Sequence, residues 1–304
     1  MSRRFLGGAS AALVAGYAVA AAPPQPLFFD DFSHADAAAL QAAGWLLRSG
    51  SGHPGVTGAR WAPEAITLVD DPAQRGNRLL RLTARTDGSD GPGTVQAQLC
   101  HQRKLLRGTY AARIRFSDTP VAGADGDPII QTFYAVAPLR HAFDPEFSEV
   151  DWEYLPNGGW GSEKQRLYGI SWQTVRLDPW QPHNSAHEEF RSFDGWHVLL
   201  MQVDEQQVRM FVDGRPVARH AGRNVPVAPM SIAFNLWFSP AGLLPAGTDP
   251  RVYAQDVDWV FHAAGRSLSP PQVETEIRRL RRAGTAHVDT VPAPQPPLES
   301  RCDF

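Results

Sequence analysis

The sequence predicts an all-β protein, one large antiparallel sandwich or barrel, and three observations carry that expectation. Short runs rich in β-branched and aromatic residues recur between clusters of Gly, Pro, Asp and Ser, from about residue 27 to residue 264. Within them apolar residues alternate with period two, or run continuously as in a strand buried on both faces. Helical periodicity is confined to about residues 270–283, and no repeat of fixed period is present. With 304 residues, 43% of them hydrophobic, the chain is long enough to enclose a substantial core.

The first 20 residues read as a signal peptide. Arg3 and Arg4 precede a short apolar stretch rich in Ala and Gly, and Ala18–Ala20 offers a small-residue cleavage site. That stretch is short for a membrane span, so a secreted or extracytoplasmic protein without stable membrane insertion is expected. Arg3-Arg4 ahead of Phe5-Leu6 also permits twin-arginine export. A net charge of −3, with no dense basic run before the C-terminal region, gives no footprint for nucleic acid.

Strand-like segments follow in order: LLRLTAR (79–85), TVQAQLC (94–100) and TYAARIRFSD (109–118). The last places Tyr110, Ala112, Ile114 and Phe116 on one face and Arg113 and Arg115 on the other. IIQTFYAV (129–136) is a doubly buried run. In QQVRMFVDGRPVARH (206–220), Asp213-Gly214 is the turn chemistry of a two-residue type I′ hairpin. MSIAFNLWFS (230–239) and QDVDWVFHA (255–263) complete the body. Beyond it, Ser269 and two prolines open a helix with Glu274 and Glu276 early, arginines late and Gly284 after its end. Its stripe of Val273, Ile277 and Leu280 should dock on the body. PAPQPPLESRCDF (292–304), the Pro-rich tail that closes the 265–304 region, has little capacity for regular structure. The two cysteines, Cys100 and Cys302, are either a disulfide tying this tail to the body or two unrelated thiols. No clustered Cys/His spacing suggests a structural zinc site.

The chemistry concentrates in FSEVDWEYLP, residues 147–156. On a helix only Glu149 and Glu153 would share a face. On a strand Glu149, Asp151 and Glu153 all point one way, and Val150, Trp152 and Tyr154 the other. β-branched and aromatic neighbours, with Pro145 and Pro156 as bounds, favour the strand. Three aligned carboxylates repel one another, so the arrangement costs stability and points to a function that needs coupled acids. A cation site is the other use of clustered oxygens, and a structural calcium ion is compatible with it.

With these motifs the chain resembles glycoside hydrolase family 16, endo-acting β-glucanases and galactanases built on a concanavalin A-like β-jelly roll of two antiparallel sheets. EVDWE (149–153) is similar to that family's active-site strand. DDFS (30–33), RGTYAARIRF (107–116), GWHVLLMQVDEQQVRMFVDGRPV (195–217), MSIAFNLWFSP (230–240) and VDWV (257–260) match its other segments in order. Val203 stands where a Trp is common, and Ser171-Trp172 where an Asn–aromatic pair is. The resemblance implies a catalytic domain over residues 27–264, Glu149 as nucleophile, Asp151 as assistant and Glu153 as acid/base, with no cofactor. Retention needs two carboxyls about 5–5.5 Å apart. Glu149 and Glu153 have Cα atoms roughly 13 Å apart on a strand, so their side chains must lean together across Asp151.

Nine tryptophans include core members such as Trp152 and Trp259 and candidates for stacking on sugar rings. Phe147, Trp160, Trp172, Asn235 and Trp237 are the candidate substrate-binding residues, with Tyr134 a weaker one. His183, His187 and Glu188 read as solvated loop residues. The expected activity is hydrolysis of a β-glucan-type or galactan polysaccharide by a monomer. A transglycosylase would use the same acids, and a lectin-like binding protein would share the sandwich without needing them. The unbulged E-x-D-x-E leans toward the mixed-linkage glucanase and xyloglucan-active branches of the family.

Overall fold

The computed structural model describes residues 25–302 together with Met1; apart from Met1, the predicted signal peptide lies outside the described residues. The strands are β1 (Leu27–Asp30), β2 (Trp45–Leu47), β3 (Arg60–Trp61), β4 (Ile66–Asp70), β5 (Arg78–Thr86), β6 (Val95–His101), β7 (Gly108–Phe116), β8 (Ile129–Val136) and β9 (Glu149–Leu155). They continue with β10 (Arg166–Arg176), β11 (Gln181–Glu189), β12 (Gly195–Val203), β13 (Gln207–Val212), β14 (Arg215–Ala221), β15 (Ser231–Phe238), β16 (Arg251–Ala264) and β17 (His287–Asp289). Two helices, α1 (Ala37–Ala42) and α2 (Pro270–Arg282), accompany them.

Pairing arranges the strands as a two-layer sandwich of antiparallel ladders. One layer runs β2–β6–β15–β8–β9–β10–β11. The other runs β4–β5–β16–β7–β12–β13–β14, with β1 replacing β5 beside the second half of β16 and β17 outside β1. Short contacts of β6 with β5 and, in parallel, with β3 join the layers along one edge. The predicted alternation decides what lies between them. Tyr110, Ala112, Ile114 and Phe116 from β7 meet Val150, Trp152 and Tyr154 from β9 in one continuous core. Alternate residues of the first layer are left to face outward, and β9 therefore carries its acids on the outer surface.

The hairpin is as expected. Val212 pairs with Arg215, and Asp213 and Gly214 both adopt positive φ, at 50° and 78°. Helix α2 begins where predicted, with the Ser269 N–H donating to Gln272 Oε1 at 2.8 Å. Val273, Ile277 and Leu280 pack on Phe29, Leu200, Trp259 and Phe261 and cover the far side of the second layer. Cys100 and Cys302 form a disulfide. Strands β2, β3, β4, β10 and β17 were not singled out in the sequence, and two further elements differ from expectation. Helix α1, capped by the Asp36 carboxylate on the Ala39 N–H at 2.8 Å, was not signalled. The segment carrying His183, His187 and Glu188 is strand β11, not a loop, and Glu188 accepts from Arg166 at 3.0 Å.

Candidate active site

The regular register of β9 sets the site. Both of its ladders are free of bulges, so Glu149, Asp151 and Glu153 emerge on one face in three successive rows. Val136 and Trp172 flank Glu149, Tyr134 and Ile170 flank Asp151, and Thr132 and Tyr168 flank Glu153. The rows continue to Asn235 and Gln98 on one side and to Asn184 and Ala186 on the other. A cleft of about 640 Å³ lies over this face, and all three acids line it.

Depth gives the acids their electrostatics. Glu149 and Asp151 are buried, at 7% and 3% exposure, and Glu153 is partly buried. Burial, and then repulsion from Glu153, holds the Glu149 carboxyl well above the usual range. Burial raises Asp151 strongly too, with Glu149 and Glu153 adding to it. The Trp172 indole N–H opposes this by donating to Asp151 Oδ2 at 2.9 Å. Burial pushes Glu153 up to about 7, against a hydrogen bond from Trp160. The buried Oδ1 of Asp151 meets no hydrogen-bond partner among the described residues. Three carboxyls packed this way cannot all be charged, so the trio keeps protons at neutral pH.

Aromatic rings stand at both ends of the cleft. Trp160, in the turn after β9 with φ 50°, is 46% exposed and lies 5.7 Å from the buried Trp237. At the other end Trp172 meets Trp180 edge-on at 6.0 Å. Asn235 is fixed on the floor, its Oδ1 accepting from Thr132 Oγ1 at 2.5 Å. Seven of the predicted residues besides Asp151 thus line one cleft: Glu149, Glu153, Trp160, Trp172, Asn235, Trp237 and the weaker candidate Tyr134. Phe147 does not line it. Its parity is right, but at 1% exposure it lies in an apolar cluster with Tyr134, Val136, Val175 and the two cysteines.

Sequence reasoning missed Trp180, His53, Gln98 and Asn184, which also line the cleft. A tryptophan between Pro179 and Gln181, in a turn joining two strands, was a signal for Trp180 once β11 was recognised. Asp30, His34 and His287 place ligand-type atoms within 4.8 Å of one another. The Asp30 carboxylate is already met there by the Phe32 N–H, His34, Trp45 and His287 at 2.7–3.1 Å. Hydrogen bonds hold this cluster without calling for a cation.

No family model matches the sequence, and no curated protein does. Among solved structures the chain is similar to a prokaryotic β-1,3-1,4-glucanase (lichenase) from a mouse hindgut metagenome, at 20% identity and TM-score 0.55 over 79% of this chain and 99% of that one. It is similar to a glycoside hydrolase family 16 endo-glucanase of Bacteroides ovatus in complex with G4G3G-2F-DNP, at 16% identity and TM-score 0.57, covering 77% and 98%. LamAcat of Zobellia galactanivorans is a third, at 14% and 0.55, covering 79% and 97%. The fold is therefore the one these three structures share, the jelly-roll sandwich that the sequence motifs implied.

Proposed function

We propose that this protein is an exported, monomeric, retaining endo-β-glycosidase that hydrolyses a β-glucan-type polysaccharide through a glycosyl-enzyme intermediate. The observation that carries the reading is the cluster of three carboxyls on one strand face, two buried and one partly buried, inside an aromatic-lined cleft. A binding protein has no use for so costly an arrangement. The solved structures with this fold include a β-1,3-1,4-glucanase and LamA of Zobellia galactanivorans in complex with laminaritriose and laminaritetraose, which supports a β-glucan before a galactan.

In the reaction Glu149 attacks the anomeric carbon while Glu153 gives its proton to the leaving oxygen. Water then enters, Glu153 takes its proton, and the ester to Glu149 breaks with net retention. In the free protein burial raises all three carboxyls, Glu153 to about 7 and Glu149 and Asp151 well above their usual values. Attack needs Glu149 ionised while Glu153 keeps its proton. Because the three titrate as a set, the empty cleft fixes how many protons the set holds, and the substrate fixes where they sit. Positive charge growing at the anomeric carbon stabilises an ionised Glu149, and the leaving oxygen holds the proton on Glu153. Asp151, one row from each along β9, is linked electrostatically to both. Carboxyls and water carry every step.

A reducing-sugar assay over mixed-linkage glucan, laminarin, xyloglucan and agarose tests the reading. It predicts release from at least one β-glucan, and loss of that release in Glu149→Gln. Release that persists in Glu149→Gln would place the chemistry elsewhere.

A further inference from the structure

The proline-rich segment after β17 does not simply trail along the surface. It is fixed at three points along the end of β6 and the turn that follows it. Lys104 Nζ binds Asp289 Oδ2 at 2.6 Å and the Val291 carbonyl at 2.9 Å. The Arg103 N–H donates to Ser300 Oγ at 2.9 Å. The disulfide then sets Cys302 over Cys100, at 7% exposure.

That last step carries the chain into the cleft, which Cys302 lines. Its carbonyl oxygen accepts hydrogen bonds from Gln98 Nε2 and, at 3.5 Å, from the Tyr134 hydroxyl. Both donors lie on the cleft floor, and Tyr134 is paired directly across from Asp151. Gln98 is a fixed donor, because Arg48 Nη1 holds its Oε1 at 2.6 Å and stacks on Trp61 at 4.3 Å. A preorganised amide three strands from the acids and a phenol one strand from them present hydrogen bonds of the kind that bind a sugar hydroxyl. Here the chain's own carbonyl takes them.

We propose that Cys302 and the residues leading to it are a specificity-determining wall, which occupies a sugar-binding position on the β6 side of the cleft and is kept there by the disulfide. The proposal rests on the glycosidase reading. With the wall in place, substrate contacts on that side stop short of Gln98. With it released, a longer or branched β-glucan gains one more sugar position.

The test compares kcat/KM on a ladder of β-gluco-oligosaccharides for the unreduced protein, the phosphine-reduced protein and the Cys100→Ser/Cys302→Ser variant. Circular dichroism establishes that each is folded, and thiol titration that the bond is open. One added sugar contact is expected to raise kcat/KM for the longest chains, relative to the shortest, by about tenfold, mainly through KM. Mere loss of stability would lower both alike. An unchanged long-to-short ratio in a folded, opened protein overturns the wall while leaving the glycosidase reading intact. Absence of cleavage in every form overturns that reading, and the wall with it.

Discussion

Replacing Glu153 with Gln should make the protein more stable, and only at higher pH. Burial raises the Glu153 carboxyl from 4.5 to about 7. A folded state that holds a proton more tightly than the unfolded chain loses stability as pH rises from 4.5 to about 7. Below that window both states are protonated and no penalty exists; above it the full penalty is present. At about 1.4 kcal/mol per pKa unit the penalty is about 3 kcal/mol, and partial contact of Glu153 with solvent lowers it toward about 1–2 kcal/mol. Gln keeps the shape and the acceptor for Trp160 but carries no charge. Urea unfolding at pH 4 should therefore find wild type and Glu153→Gln within about 0.5 kcal/mol of each other. At pH 8 the variant should be more stable by about 1–3 kcal/mol. A variant that is no more stable at pH 8 would refute the claim that burial on this strand face penalises a charged Glu153.

Trp172→Phe removes the donor to Asp151 Oδ2 and should raise the proton affinity of the trio further. Its pH–rate profile should shift to higher pH with kcat falling more than KM changes, whereas an unshifted profile would make Trp172 a packing residue only. Thiol titration of the denatured, unreduced protein should find no free thiol, because Cys100 and Cys302 are bridged. The bridge closes a loop spanning 202 residues, and opening it should cost about 5 kcal/mol in the chain-entropy model, read by urea unfolding. Ile277→Ala, at the buried centre of the α2 stripe, should lose about 2–4 kcal/mol with activity per folded molecule unchanged. Lost activity at full folding would tie the helix to the cleft.

Where alternation is strong, sequence and structure agree element by element. β7 and β9 place every predicted side chain on the predicted face, because a buried sheet tolerates no slip of register. The Asp213-Gly214 turn and α2 were legible for local reasons, turn chemistry and capping. Helix α1 was not, since six residues that bury only Leu40 leave no periodic stripe. Strand β11 was hidden because it is an exposed edge, whose residues alternate nothing apolar. Its neighbour Trp180 was lost with it. For Phe147 the period of two fixed the face but not the depth, which depends on Val175 and the bridge covering it. The pairing of Cys100 with Cys302 was one of two readings that counting left open, and the structure decides it. The entry of Cys302 into the cleft could not be foreseen, because contacts to Lys104, Arg103 and Gln98 decide it, not any pattern in the prolines.

The central claim is that Glu149 attacks and Glu153 gives and takes the proton, and the configuration of azide-rescued products tests it most directly. In Glu149→Ala a small anion can occupy the space left by the carboxylate and attack an activated glycosyl fluoride with inversion. In Glu153→Ala a substrate with a good leaving group still forms the ester to Glu149, and azide releases it with retention. Proton NMR of the glycosyl azides should show the α-anomer from Glu149→Ala and the β-anomer from Glu153→Ala. Exchanged anomers would reverse the two roles, and wild-type turnover in both variants would contradict the account.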